Sequence, residues 1–286
     1  MKKLLLTIFV FMLMMGTASH ALSTTSNKTL SVQTAAEPVR ANFTHTVFAE
    51  ETTATWCSNC PFVAEAIYNV YQSGDYDFFY VALVDDMNPI AKARNIDYTF
   101  ISKVYAFPTV YFDGGDTNVV GRSSTVPLTE AEYRPLIEQE GERTPRQPLT
   151  LDTLATWDGN AQITITITAT NEGSLPYFGK IRSYVTEIES RWIDDSGDPY
   201  HFALLDYALN RYVLLLPNKA KSFTETFDGA ADHQGQTYED ITQENIQIVT
   251  TISHWIPHFR TGYESDTYNQ YYLAYYVDQT DATTPL

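Results

Sequence analysis

The stretch "TWCSNCPF", Thr55 to Phe62, carries both cysteines of a 286-residue chain, two residues apart. A disulfide stabilises a fold mainly by closing a loop in the unfolded chain. A ring this small contributes roughly 2 kcal/mol, against about 4.7 for a 100-residue loop. A pair meant as a staple would be spaced widely. Zinc needs four ligands as a rule, and the chain has no second cysteine pair and only six histidines. The spacing therefore favours redox exchange, and the competing reading is a permanent local disulfide. A lone CxxC leaves that choice to its neighbours.

Upstream, Thr46 to Ala49 reads as a short strand leading into the motif. Downstream, Val63, Ile67, Val70 and Tyr71 recur at helical spacing, and Gly74 ends the run. This places Cys57 at a helix N-terminus, where unpaired N–H groups and the macrodipole favour an anion. A thiolate there ionises below the usual value of about 8.5. Cys57 is then the attacking sulfur, and Cys60, one turn on, resolves the mixed disulfide. Pro61 is tolerated within the first turn.

The compartment permits such chemistry. Lys2 and Lys3 precede an apolar run from Leu4 to Met15, then Gly16-Thr17-Ala18-Ser19-His20-Ala21. That is the pattern of a signal peptide over 1–21, cut after Ala21, and the protein is expected to be exported by a bacterium. The destination is the periplasm, the cell envelope or the medium, where disulfides persist. The alternative is an uncleaved N-terminal anchor.

Beyond the motif, Asp77 to Val84 is a nearly continuous apolar run, as in a strand buried on both faces. A helix is expected over roughly 89–104. A strand follows at Thr109 to Phe112, a turn at Asp113-Gly114-Gly115, and a strand at Asn118 to Val120. Thr129 and Glu132 have capping-box spacing for a last helix, in which Pro135 falls early.

"WCSNC" at a strand-to-helix junction, Phe107-Pro108-Thr109 before a hairpin and this element order resemble the thioredoxin superfamily. The resemblance covers 38–145 and implies an α/β thioredoxin-like domain. It implies that Pro108 is the cis-proline facing the cysteines, holding the Phe107 backbone open to a substrate strand. It also implies that Glu51, six residues before Cys57, is a buried carboxylate that takes a proton from Cys60. Trp56, Phe107 and Thr109 then meet the substrate, and Cys57 and Cys60 form the reversible disulfide. The competing readings are a surface acid for Glu51, a turn proline for Pro108 and plain packing for Trp56. The inner dipeptide Ser58-Asn59 is neither the Gly-Pro of thioredoxin nor a pair with histidine. Reductase, oxidase and isomerase directions all stay open. The segment from Asp85 to Tyr105 is longer than a minimal member needs and is either a groove wall or a solvated connection.

"GERTPRQPLT", Gly141 to Thr150, reads as a linker. After it come "AQITITITAT" from Ala161 in strict alternation, and strand-like runs at 180–190, 211–216, 221–227, 245–253 and 271–278, separated by turn signals. Over 151–286 this favours an all-β immunoglobulin-like sandwich, which would recruit substrate or dock a partner. Tyr268, Tyr271, Tyr272, Tyr275 and Tyr276 are first read as strand packing and second as a binding face. His254 and His258 span Pro257, which argues against a helical metal pair. Asp194, Asp195 and Asp198 do not have EF-hand spacing and read as a solvated hairpin.

Acids outnumber Lys plus Arg by 35 to 18, and loss of Lys2 and Lys3 with the leader takes the net charge from −17 to −19. Nucleic acid and anionic lipid are poor partners for such a surface. No cofactor and no metal are expected, because the sulfur pair holds the electrons. The expected partners are proteins with thiols or disulfides and a redox partner protein, with no strong membrane affinity once the leader is gone. A different class stays open: an envelope binding protein with an idle disulfide.

Overall fold

A computed structural model describes residues 43–145, 147–264 and 269–286. The leader at 1–21, the start of the first expected domain and Tyr268 lie outside them. Three helices and thirteen strands are formed by the described residues. Strand β1 (Val47–Thr53) leads to helix α1 (Cys60–Ser73), β2 (Phe78–Val84) and α2 (Pro89–Thr99). Then come β3 (Thr109–Phe112), β4 (Thr117–Val120) and α3 (Val126–Gly141). The rest is strand: β5 (Leu149–Gly159), β6 (Gln162–Asn171), β7 (Tyr177–Ile193), β8 (Pro199–Leu215), β9 (Lys219–Asp228), β10 (Ile246–His254), β11 (His258–Glu264), β12 (Asn269–Ala274) and β13 (Val277–Thr283).

The expectation of an α/β thioredoxin-like fold is overturned, while the sandwich-like β content expected of the second half is compatible with the structure. The protein is mostly β, and one eight-stranded mixed sheet, ordered β13-β10-β7-β8-β2-β1-β3-β4, runs through both halves of the sequence. The join is made by β2 and β8, parallel at Ala82 and Ala203. An unpaired strand edge exposes a row of backbone groups, and here β8 lies against the outer edge of β2. The described residues belong to a single compact unit. A three-stranded sheet, β5-β6-β9, faces the large sheet. The sandwich core between them takes Ile163, Ile165 and Ile167 from β6, with Ile181, Val185, Leu205 and Ile248 from the large sheet. Ala82 and Val84 of β2 belong to that same core.

The faces of β1 follow its period of two. Val47 and Ala49 pack with Val63, Ile67, Tyr133 and Ile137 of α1 and α3. Phe48 packs on the other side, with Ile90 and Ala91 of α2 and Tyr184 of β7. Element limits differ from the sequence reading for local reasons. Helix α2 opens at Pro89 because the Asn88 side chain accepts from the Ile90 and Ala91 N–H groups, and it ends at Thr99 rather than near residue 104. Helix α3 is capped by Thr125, whose hydroxyl accepts from the Leu128 N–H, not by Thr129. The long hairpin of β7 and β8 far exceeds the expected 180–190 and 211–216. The expected strand at 271–278 divides into β12 and β13.

A polar cluster fastens the N-terminal half to the last strands. His45 Nε2 lies 2.6 Å from Asp113 Oδ2, and the Arg143 guanidinium donates to the same oxygen at 3.0 Å. Arg143 also donates to the Val277 carbonyl and lies 3.7 Å from Asp278. Gly114, at φ 72°, turns the β3–β4 connection so that its carbonyl accepts from the Tyr275 N–H. A side chain there would meet the Tyr275 backbone.

Candidate redox site

The cysteines lie between β1 and α1 and are joined as a disulfide. Helix α1 begins at Cys60, with Asn59 as N-cap and Pro61 in its first turn. Cys57 therefore precedes the helix by a turn instead of heading it. Cys60, the first residue of the helix, is fully buried, while Cys57 is 6% exposed. The Cys57 N–H donates to the Ala54 carbonyl, and the Cys60 N–H to the Cys57 carbonyl. Two successive turns thus hold the pair.

Ala54, Cys57, Cys60 and Phe107 form a small apolar cluster. The Phe107–Pro108 bond is cis. Trp56 is 65% exposed and meets the Phe107 ring edge-on at 5.9 Å. Thr109 is buried and pairs with Thr52 in the β1–β3 ladder. Its carbonyl accepts from the Thr52 hydroxyl at 3.1 Å, while its own hydroxyl donates to the Ala106 carbonyl at 2.7 Å. Thr109 thus fastens the loop before β3 to the end of β1.

The loop itself is anchored at three points. Asp86 accepts from the Thr55 N–H at 3.0 Å and from its hydroxyl at 2.5 Å. Arg122 Nε donates to the Asn59 side chain at 3.0 Å, and its guanidinium lies 3.8 Å from the Phe62 ring centre. From the β-rich half, the Tyr200 hydroxyl donates to the Ala54 carbonyl at 3.1 Å and accepts from the Thr53 hydroxyl at 3.0 Å. Sequence reasoning missed Asp86, Arg122 and Tyr200. No local pattern marks a residue whose role is to reach a loop 30 to 146 positions away.

Glu51 is buried, and neither carboxylate oxygen has a hydrogen-bond partner. It lies on the α1 side of β1, the side from which Cys60 begins its helix. Burial, reinforced by the negative charge of Asp194, pushes its carboxyl up to about 8, so at neutral pH it is largely protonated. Asp194 comes from the turn joining β7 to β8, where its Oδ1 accepts from the Ser196 and Asp198 N–H groups. That carboxylate is occupied in shaping its own turn. His254 and His258 face each other through Nε2 at 3.0 Å, with His254 Nδ1 3.0 Å from Asp278. Among the described residues no group of three or more His, Cys, Asp or Glu is placed to hold a metal, and no helix is long and apolar enough to cross a membrane. Tyr272 is buried against Tyr98 and Tyr111.

No family model matches the sequence, and no curated protein matches it. Among solved structures it is similar to HBP35 of Porphyromonas gingivalis, with a TM-score of 0.59 at 13% identity over 86% of this chain and 77% of that one. A protein from Agrobacterium tumefaciens follows, with a TM-score of 0.48 at 12% identity, covering 85% and 95% of the two chains. A domain of the outer membrane lipoprotein Omp28 from Porphyromonas gingivalis matches half of this chain and 92% of its own, with a TM-score of 0.28 at 14% identity. The likeness to HBP35 is one of overall fold; the other two are too distant to bear on it.

Proposed function

We propose that the protein is an exported thiol–disulfide oxidoreductase of the bacterial envelope, exchanging disulfides with other proteins through Cys57 and Cys60. The observation that carries this reading is the combination of a CxxC disulfide with a buried, unpartnered acid, Glu51, on the same side of the sheet as Cys60. Such an acid is costly to bury unless it serves a purpose. The sequence resemblance to the thioredoxin superfamily around "WCSNC" and Pro108 supports the same reading.

In the oxidising direction, a substrate thiolate attacks Cys57 Sγ. A mixed disulfide forms, the Cys57–Cys60 bond breaks, and Cys60 leaves as a thiolate that Glu51 protonates. A second substrate thiolate then displaces Cys57, so the substrate loses two electrons and the pair gains them. In the reducing direction the Cys57 thiolate attacks a substrate disulfide and releases one substrate thiolate. Glu51 then takes the proton from Cys60 as it attacks Cys57 Sγ, breaking the mixed disulfide and releasing the second substrate thiolate, so the substrate gains two electrons and the pair loses them. A carboxyl near pH 8 can do both. Trp56 and Phe107 border the cysteine cluster, and Trp56 gives an incoming polypeptide an exposed aromatic surface.

A second reading has its own observation. Cys57 is only 6% exposed, which suits an idle disulfide in a binding protein. Insulin reduction driven by dithiothreitol separates the two, comparing the native chain with Cys57→Ser. Loss of activity in the variant supports exchange; equal rates leave only the scaffold.

A further inference from the structure

A second cavity lies on the opposite side of the large sheet from α1, between α2 and the β7–β8 hairpin. It measures about 500 Å³ and is lined by Arg94 and Asp97 of α2 and by Lys180, Asp206, Tyr207 and Asn210 of the hairpin. That size is in the range of small-molecule sites. Alternation along β7 turns Ile181 and Val185 into the sandwich core. Lys180, Arg182 and Tyr184 therefore share the other face, toward α2. Arg182 stands between the first and last of these and opposite Asn210 in the ladder.

Three cations, Arg94, Lys180 and Arg182, and three carboxylates, Glu50, Asp97 and Asp206, surround this cavity without pairing one to one. Glu50 is ion-paired with Arg94 and feels the charge of Arg182 only without direct contact. Arg94 is committed to Glu50 through two bonds, at 2.8 and 2.6 Å. The remaining Glu50 capacity is filled by the Tyr98 and Tyr184 hydroxyls. Asp206 is held by His233 at 2.7 Å, and the exposed Asp97 faces Arg94 at 3.5 Å. Arg182 is left over. It is 6% exposed, its Nε is buried without a hydrogen-bond partner, and among the described residues no carboxylate pairs with it. The buried Tyr207 hydroxyl also lacks a partner. The Lys180 ammonium has no carboxylate partner either; burial, with the charges of Arg182 and Arg94, pushes it down to about 8. A guanidinium cannot shed its proton to relieve such burial, so an arginine left this way is expensive unless something anionic joins it.

We propose that this cavity binds a small molecule through an oxyanion head group, a carboxylate or a phosphate, received by Lys180 and Tyr207 on its wall, with Arg182, which stands opposite the lining residue Asn210 without lining the cavity itself, as the supporting cation. A guanidinium fork matches either group. This site is separate from the disulfide and does not rest on the redox reading.

The test is isothermal titration of the full chain with inorganic phosphate and, separately, with acetate. Ionic strength is held constant with potassium chloride so that general screening cancels. Saturable binding of either anion is expected, weakened at least tenfold in both Arg182→Gln and Lys180→Gln. Lys180 is only partly buried, so its variant decides the matter if Arg182→Gln does not fold. Cys57→Ser is expected to bind as the native chain does. Absence of saturable binding by both anions, or binding unchanged in Lys180→Gln, overturns the proposal.

Discussion

Glu50 and Glu51 are neighbours on β1, both buried, and face opposite sides of the sheet in opposite electrostatic states. Glu50 accepts from Arg94 at 2.8 and 2.6 Å, from Tyr98 at 2.6 Å and from Tyr184 at 2.9 Å. Burial, the largest single influence, would raise its carboxyl; the charges of Arg94 and Arg182 and the hydrogen bonds from Arg94 and Tyr98 together outweigh that and hold it below the usual range. Glu51, without a partner, is pushed up to about 8. A single step along a strand separates a structural carboxylate from a titratable one, because successive side chains enter different surroundings.

Glu51 makes the fold sensitive to alkali. Its folded value lies above the usual 4.5, so between those values the folded state holds more protons than the unfolded one. Stability then falls as pH rises from about 4.5 to 8. Glu51→Gln removes this dependence. Denaturant melts of the variant should gain on the native protein by on the order of 3–5 kcal/mol between pH 5 and pH 9. A constant difference across that range would mean that Glu51 does not titrate there.

Arg94 carries the opposite expectation. Arg94→Met leaves Glu50 buried without its cation, at a cost of about 3–5 kcal/mol. The double variant Arg94→Met/Glu50→Gln should recover part of that loss, which a urea-melt double-mutant cycle would measure. Because the folded Glu50 value is depressed, its contribution is present above the ordinary carboxylate value and is lost as pH falls through and below it. The stability deficit of the single variant should therefore be largest above the ordinary carboxylate value and narrow as pH falls through it, because a protonated Glu50 does not need the cation.

Tyr200 links the β-rich half to the cysteine loop through Thr53 and the Ala54 carbonyl. Tyr200→Phe leaves both groups buried and short of a partner, a loss of about 1–3 kcal/mol. Hydrogen exchange at the Thr55 to Cys60 amides should quicken more than in the β5-β6-β9 sheet. Uniform change across the chain would show that the contact is not local to the loop.

Asp194 sets part of the Glu51 shift. Asp194→Asn keeps an oxygen for the Ser196 and Asp198 N–H groups and removes the charge. The Glu51 carboxyl should then titrate at lower pH, read by the carbon shift of its carboxyl in NMR. An unchanged midpoint would mean that burial alone sets the value.

The site was legible where chemistry leaves a local trace. The CxxC spacing, Pro108 and the Glu51 offset can all be read from the chain, and the structure places Cys57, Cys60 and Phe107 in one cluster. The helix start was misplaced by three residues, because the turns closed by Ala54 and Cys57 carbonyls are not marked by hydrophobic period. Strand β8 was only partly visible, since "PYHFALLDYALN", 199–210, mixes polar and apolar residues without clean alternation. Its register shifts against β7 explain this.

The sequence by itself determined the local matters: two cysteines in a tight ring, an acidic chain, β-rich alternation after residue 150, and the order of β1 through α3. Only the tertiary structure decided that β8 lies along β2 and joins both halves in one sheet. It alone decided which of two adjacent glutamates is ion-paired and which lies unpartnered, and that Arg182 is buried with no ion pair among the described residues. Periodicity fixes which face a side chain takes. What waits on that face is supplied by strands and helices far away in the chain, and the free energy of a buried charge depends on those neighbours.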